Sequence, residues 1–140
     1  MSKTAVFPGS FDPITKGHES VILRALHLFD KIIIAVGTNS EKEGYFPIEK
    51  RMGWIREVFK GQNKIEVKTY SGLTIDFCKN EKAEFILRGL RSGGDFEFEK
   101  TIAHMNRDMK SGIETIFLLT LPEYAHVSST IVREIVRNNG

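Results

Sequence analysis

The sequence predicts an α/β fold: a single Rossmann-like, doubly wound domain built on a five-stranded parallel sheet. Three observations lead there. Short apolar runs alternate with longer amphipathic stretches along the 140 residues. The runs are apolar at nearly every position rather than at every second one, as in strands covered on both faces. The alternation is strict, strand then helix throughout, and that order produces parallel strands joined by helical crossovers.

The elements follow in order. Residues 3–8 (KTAVFP) form the first expected strand, and 31–37 (KIIIAVG) the second, rich in β-branched residues. Residues 65–70, 84–88 and 115–120 supply the other three. Between the first two strands, Val21, Ile22, Ala25, Leu26 and Phe29 recur at helical spacing, which predicts a helix over 17–29. A second helix is expected over 47–59, with Pro47 near its start and Ile48, Met52, Ile55 and Phe59 in phase. A short helix over 73–80 and a long one over 95–110 follow, the latter expected to bury Phe96, Ile102 and Met105. The last spans 128–137, with Ser128 or Ser129 as its N-cap.

Composition narrows the class. A chain of this length is expected to form one domain over residues 1–140, with a core of its own. Its net charge of +2 is too small to imply nucleic acid, so any anion site must come from local placement of Lys and Arg. The one cysteine, Cys78, excludes an internal disulfide, fits a reducing compartment and reads as a small core residue. No apolar run approaches membrane-spanning length, and residues 1–4 lack a signal peptide's apolar stretch. The expected location is therefore the cytoplasm, away from membranes.

In a doubly wound sheet, ligands bind beyond the carboxyl ends of strands, where strand order reverses. Four constellations fall in such places. Pro8 to His18 (PGSFDPITKGH) joins the first strand to the first helix; its glycines let backbone approach a ligand, and the helix start favours an anion. The same residues also describe a plain structural turn capped by Asp12. Arg88-Gly89-Leu90-Arg91 follows the fourth strand, and arginine suits bidentate phosphate recognition. On the long helix, Glu99, Ile102 and Asn106 share one face, while His104 reads as structural. Tyr124 to Arg133 (YAHVSSTIVR) places three hydroxyls, Ser128, Ser129 and Thr130, at a helix start, as an anion site or as a redundant N-cap. A fifth feature, Lys42 after the second strand, reads by itself as a solvated lysine.

These strings carry a resemblance. Gly9-Ser10-Phe11-Asp12-Pro13 followed by Thr15-Lys16-Gly17-His18 resembles the signature of the nucleotidylyltransferase superfamily, whose general form is H-x-G-H. Thr15 in the first His position is the pattern of the bacterial phosphopantetheine adenylyltransferase family. Arg88-Gly89-Leu90-Arg91, the D-F-E-F-E run from Asp95, Ala103-His104-Met105-Asn106-Arg107 and Val127-Ser128-Ser129-Thr130 match the same family. Phe98 stands where that family usually has Tyr, and the family usually continues for roughly twenty residues beyond Gly140.

The resemblance implies transfer of the adenylyl group of ATP to 4′-phosphopantetheine, giving dephospho-coenzyme A and pyrophosphate. It implies that ATP meets Ser10, Phe11, His18, Gly89, Leu90, Arg91, Glu99 and the run Tyr124, Ala125, His126, Val127, Ser128, Ser129 and Thr130. Ser10, Lys42, Thr74, Arg88, Ile102 and Asn106 would meet phosphopantetheine. His18, Lys42 and Arg91 would carry the chemistry. Mg²⁺ is expected to arrive with ATP, without a protein metal site. A homohexamer and feedback by coenzyme A are further implications. Two other readings remain at this stage: a cytidylyl- or nicotinamide-nucleotide adenylyltransferase, against which Thr15 and the Arg88–Arg91 string argue, and a nucleotide-binding module without catalysis.

Overall fold

The structure is a computed structural model that describes residues 2–38, 44–109 and 112–140. Five strands and five α-helices alternate: β1 (Thr4–Gly9), α1 (Lys16–Ala25), β2 (Lys31–Gly37), α2 (Ile48–Val58), β3 (Ile65–Tyr70), α3 (Thr74–Asn80), β4 (Phe85–Leu90), α4 (Gly93–Met109), β5 (Glu114–Leu119) and α5 (Ser129–Arg137). One turn of 3-10 helix, Pro122–Tyr124, lies before α5. Strand and helix bounds fall within a few residues of those the sequence predicts. Helix α1 departs most, ending at Ala25. The amides of Leu28 and Phe29 both return to the Ala25 carbonyl, so the chain turns there. Phe29 is nonetheless buried, with its ring 5.4 Å from that of Phe85.

The sheet order is β3-β2-β1-β4-β5 and every pairing is parallel. Strand order reverses between β1 and β4, so the loops leaving their carboxyl ends open the crevice. The central strands are buried on both faces, which is why their sequences show no alternation. Ala5, Phe7, Ile32, Ile34 and Val36 point to the face covered by α1 and α2, where Val21, Ile22, Met52 and Ile55 complete the larger core. Val6, Ile33, Ala35 and Ile86 point the other way, toward Ile75 and Cys78 of α3.

The face under α4 differs from expectation. Phe96, Ile102 and Met105 were expected in the core, yet Met105 is 59% exposed and the other two more than a third exposed. The helix sits over the outer strands β4 and β5, meeting them through Phe96 against Phe117 at 5.9 Å and through an ion pair from Glu99. Periodicity identified an apolar stripe, but within the single chain no layer covers its outer part. Cys78 is fully buried, and burial pushes its thiol up to about 11, which leaves it an inert core group at neutral pH.

Candidate active site

The site begins where β1 ends. From Ser10 the chain crosses to α1, whose N-cap is Thr15 rather than Asp12. The Thr15 hydroxyl accepts from the His18 amide at 3.4 Å, and the Thr15 amide donates to His18 Nδ1 at 2.9 Å. This reciprocal capping arrangement satisfies the first amides of α1 and fixes the imidazole at once. Because Nδ1 accepts, the neutral ring carries its hydrogen on Nε2. The ring packs edge-on to Phe11 at 5.0 Å and to Phe7 at 6.3 Å. Burial above all, and then the charges of Arg88 and Arg91, lower its pKa from 6.5 to about 4. His18 is therefore a neutral hydrogen-bond donor near pH 7. Of the two loop glycines, Gly9 is shaped by its neighbours: a Cβ there would come 3.1 Å from the Phe11 ring. Gly17 is buried.

Strand β4 delivers the arginines. Arg88 donates from Nε to Glu99 Oε1 at 2.6 Å and from Nη2 to Oε2 at 3.0 Å, a fork on a carboxylate. Its Nη1 donates to the Pro8 carbonyl at 2.6 Å, which bridges β4 to β1. Glu99, expected to touch ATP, has both carboxylate oxygens engaged by Arg88. Arg91 lies 3.5 Å from the Asp95 carboxylate, which also accepts from the Arg91 amide at 3.1 Å. At α5, Ser128 caps the helix by accepting from the Ile131 amide at 3.2 Å, while Ser129 donates to the Pro13 carbonyl at 2.7 Å.

Two cavities result. The first, about 360 Å³, gathers Ser10, Phe11, His18, Gly89, Arg91 and the run from Val127 to Thr130, with Arg88 and Glu99 on one side. The second, about 310 Å³, gathers Thr74, Ile102 and Asn106 with Arg88 and Glu99 on its near side. Pro8, Gly9, Arg88 and Glu99 thus line both. The first is walled by helix starts, cations and hydroxyls, a setting for a polyphosphate. The second carries Leu73, Ile86, Ala103 and Ile102 beside its polar groups. In it, the hydroxyls of Tyr70 and Thr74 share a hydrogen bond of 2.8 Å.

Some expected residues lie elsewhere. Leu90 is buried at the end of β4, and its carbonyl accepts from the Thr120 amide at 2.8 Å. Tyr124, Ala125 and His126 are not among the residues lining the first cavity. Lys42 lies outside the described residues. His104 is exposed on α4. Arg133, which closes the string from Tyr124 and was given no role from the sequence, lines the first cavity and donates to the Asp12 carbonyl at 2.7 Å. The signal was present in that string. Among the described residues, no three His, Cys, Asp or Glu side chains converge as metal ligands.

A helix-start cradle with convergent arginines at the reversal point of such a sheet suits an anionic, phosphate-bearing ligand. A family model described as cytidylyltransferase-like matches residues 6–135. The fold alone is shared with two solved structures. One is a bifunctional NMN adenylyltransferase/ADP ribose pyrophosphatase from Francisella tularensis (TM-score 0.77, 17% identity), which covers all of this chain; this chain spans only 43% of that one. The other is a putative nicotinate-nucleotide adenylyltransferase from Vibrio parahaemolyticus (TM-score 0.73, 17% identity), with 99% of this chain and 83% of that one covered.

Sequence relatives are more specific. The chain is 55% identical to the phosphopantetheine adenylyltransferase of Christiangramia forsetii, over 99% of this chain and 91% of that protein. It is 56% identical to the one of Flavobacterium johnsoniae, over 99% and 90%, and 53% to the one of Bacteroides thetaiotaomicron, over 98% and 90%. The chain belongs to the cytidylyltransferase-like family and, within it, to the phosphopantetheine adenylyltransferases.

Proposed function

We propose that the protein transfers the adenylyl group of ATP to 4′-phosphopantetheine, yielding dephospho-coenzyme A and pyrophosphate. The observation that carries this reading is full-length similarity to enzymes of that name, at 55% identity over 99% of the chain. Two adjoining cavities with a shared arginine wall support it, one suited to a triphosphate and one to a longer, partly apolar arm.

The phosphopantetheine phosphate attacks the α-phosphorus of ATP. A new P–O bond forms, the bond to the β-phosphate oxygen breaks, and pyrophosphate leaves with the electron pair. The attacking phosphate is already anionic at neutral pH, so catalysis rests on alignment and charge stabilisation. His18 donates from Nε2 to the α-phosphate as charge builds. Ser10 and Lys42 orient the attacking phosphate, and Arg88, held by Glu99, binds it. Arg91 and the hydroxyls of Ser128, Ser129 and Thr130 take the β- and γ-phosphates. Thr74, Ile102 and Asn106 line the pantetheine arm.

Mg²⁺ enters this proposal as the ATP complex. Glu99 and Asp95 are engaged by arginines, so the first cavity offers no carboxylate cage, and magnesium keeping its waters on the triphosphate suits the donors present. Coenzyme A, whose pantetheine arm is chemically that of the substrate, is the proposed feedback ligand at the second cavity. A titration against initial rate should show competition with phosphopantetheine. A homohexamer, which the family resemblance implies, is also proposed; the uncovered apolar residues of α4 offer a surface for self-association, and light scattering at six times the chain mass is the expected result. The cytosol is the proposed compartment, in keeping with the lone buried thiol of Cys78.

The deciding experiment follows pyrophosphate release from ATP with phosphopantetheine, cytidylyl acceptors and nicotinamide mononucleotide in parallel. Release with phosphopantetheine alone is expected. ATP binding without turnover on any acceptor would instead make the chain a nucleotide-binding module.

A further inference from the structure

Two charged side chains that line neither cavity are almost completely buried. Asp12 and Arg51 are each only 6% exposed. A buried ion is costly unless its hydrogen-bonding capacity is met, and here backbone groups meet it for both side chains.

Their partners show what they connect. Asp12 Oδ2 accepts from the Tyr45 amide at 2.7 Å, and Oδ1 accepts from the Phe46 amide at 2.9 Å. Arg51, on α2, donates from Nε to the Phe46 carbonyl at 2.9 Å and from Nη1 to the Ser10 carbonyl at 2.8 Å. One side chain reaches from the loop after β1 to residues 45 and 46, and the other reaches to both from α2. Gly44 fills the gap beside them. A Cβ there would stand 3.0 Å from both Arg51 Cζ and Asp12 Oδ2. On the other side of the loop, Arg133 takes the Asp12 carbonyl and Ser129 takes the Pro13 carbonyl, each at 2.7 Å. The carbonyls of Ser10, Asp12 and Pro13 are thus all held by side-chain donors. A carbonyl oxygen turned toward a phosphate would repel it, and these bonds prevent such a turn.

We propose that Asp12 and Arg51 are positioning residues for the transfer reaction: together they lock the loop carrying Ser10 to the segment Gly44–Phe46 and so fix how Ser10 meets the substrate phosphate. The inference rests on the reaction proposed above. A small displacement of a positioned group costs about 100-fold in rate, far more than its bonds contribute to binding.

The only tryptophan gives a direct readout, because Trp54 packs edge-on against Phe46 at 5.0 Å. Arg51→Met, Arg51→Lys and Asp12→Asn are compared with the parent enzyme for kcat, both KM values, Tm and Trp54 emission. Kinetics are taken well below the lowest Tm. The expected result is a red-shifted Trp54 emission and a kcat lowered about 10- to 100-fold in Arg51→Met. KM for ATP should change by less than kcat does. Arg51→Lys, able to keep one of the two carbonyl bonds, should recover part of the rate. Folded variants with parental kcat overturn the proposal, whatever their Tm. Failure of all three to fold also overturns it, since the pair would then be a stability element. If the parent itself releases no pyrophosphate with phosphopantetheine, the reaction assignment falls instead, and the two failures are told apart.

Discussion

The two cavities share a wall and differ in everything else. The first is made of backbone turns and helix starts held by side-chain bonds: Thr15 to His18, Ser129 to Pro13, Arg133 to Asp12. Away from the shared Arg88–Glu99 wall, the second is made mainly of side chains from α4 and the start of α3, with a hydrogen bond between Tyr70 and Thr74. A phosphate demands donors at fixed positions, because electrostatic stabilisation falls away when donors must reorganise. A flexible arm demands only a complementary channel, where each contact is worth little and substitutions are tolerated. The difference should appear in kinetics as kcat effects on one side and KM effects on the other.

The wall itself should give the largest effect. Arg88→Ala removes a donor common to both cavities and leaves the Glu99 carboxylate buried without its partner. A loss in kcat/KM of about 1000-fold or more is expected, felt with either substrate varied in steady-state assays. Next comes His18→Ala, which should lower kcat by about 100- to 1000-fold with little change in KM for phosphopantetheine. Near-parental turnover would remove His18 from the mechanism.

The same variant has a signature in stability. The folded imidazole resists protonation until about pH 4, whereas the unfolded one takes up a proton near 6.5. Its contribution is therefore intact above pH 6.5 and is lost progressively as pH falls toward 4, by on the order of 2–3 kcal/mol. Urea unfolding at pH 7 and pH 4 should show this part of the decline in the parent and not in His18→Ala.

Glu99→Gln tests whether Glu99 acts through Arg88. The side chain keeps its shape, but the fork loses its charge and one of its two acceptors, and a fall of roughly 10-fold in kcat/KM is expected from weakening the charge-assisted pair. A change confined to KM for ATP would instead assign Glu99 to the nucleotide. The smallest effect should come from Asn106→Ala. It should raise KM for phosphopantetheine by roughly 2- to 10-fold, the worth of one neutral hydrogen bond, with kcat unchanged. A large kcat loss there would break the contrast between the cavities.

The sheet could be read from the sequence because its signal is local. Runs such as Ile32, Ile33 and Ile34 are apolar throughout for a simple reason: both faces are covered. The crevice could be read because strand-end loops collect ligands in this topology, which placed Pro8–His18 beside Arg88–Arg91 before any coordinates. The Asp12 and Arg51 bonds could not be read. Apart from Arg51 to Phe46, they join residues 33 to 41 positions apart, and a single buried charge leaves no period in the sequence. Asp12 looked like a helix cap because its position before α1 fits one, but the cap went to Thr15, which the chain presents three residues before His18. The apolar stripe on α4 was found and misassigned, since periodicity reveals which side is apolar and not what lies against it.

The bond from the Thr15 amide to His18 Nδ1 has a consequence beyond helix capping. It makes the imidazole's chemical identity a property of the backbone. The same hydrogen bond that starts α1 dictates which nitrogen is protonated and which way it points. Fraying the first turn of α1 would therefore do more than loosen a helix: it would release the ring to its other tautomer and turn the wrong nitrogen toward the phosphates. On the proposed mechanism, local unfolding of that one turn and chemical inactivation would be the same event.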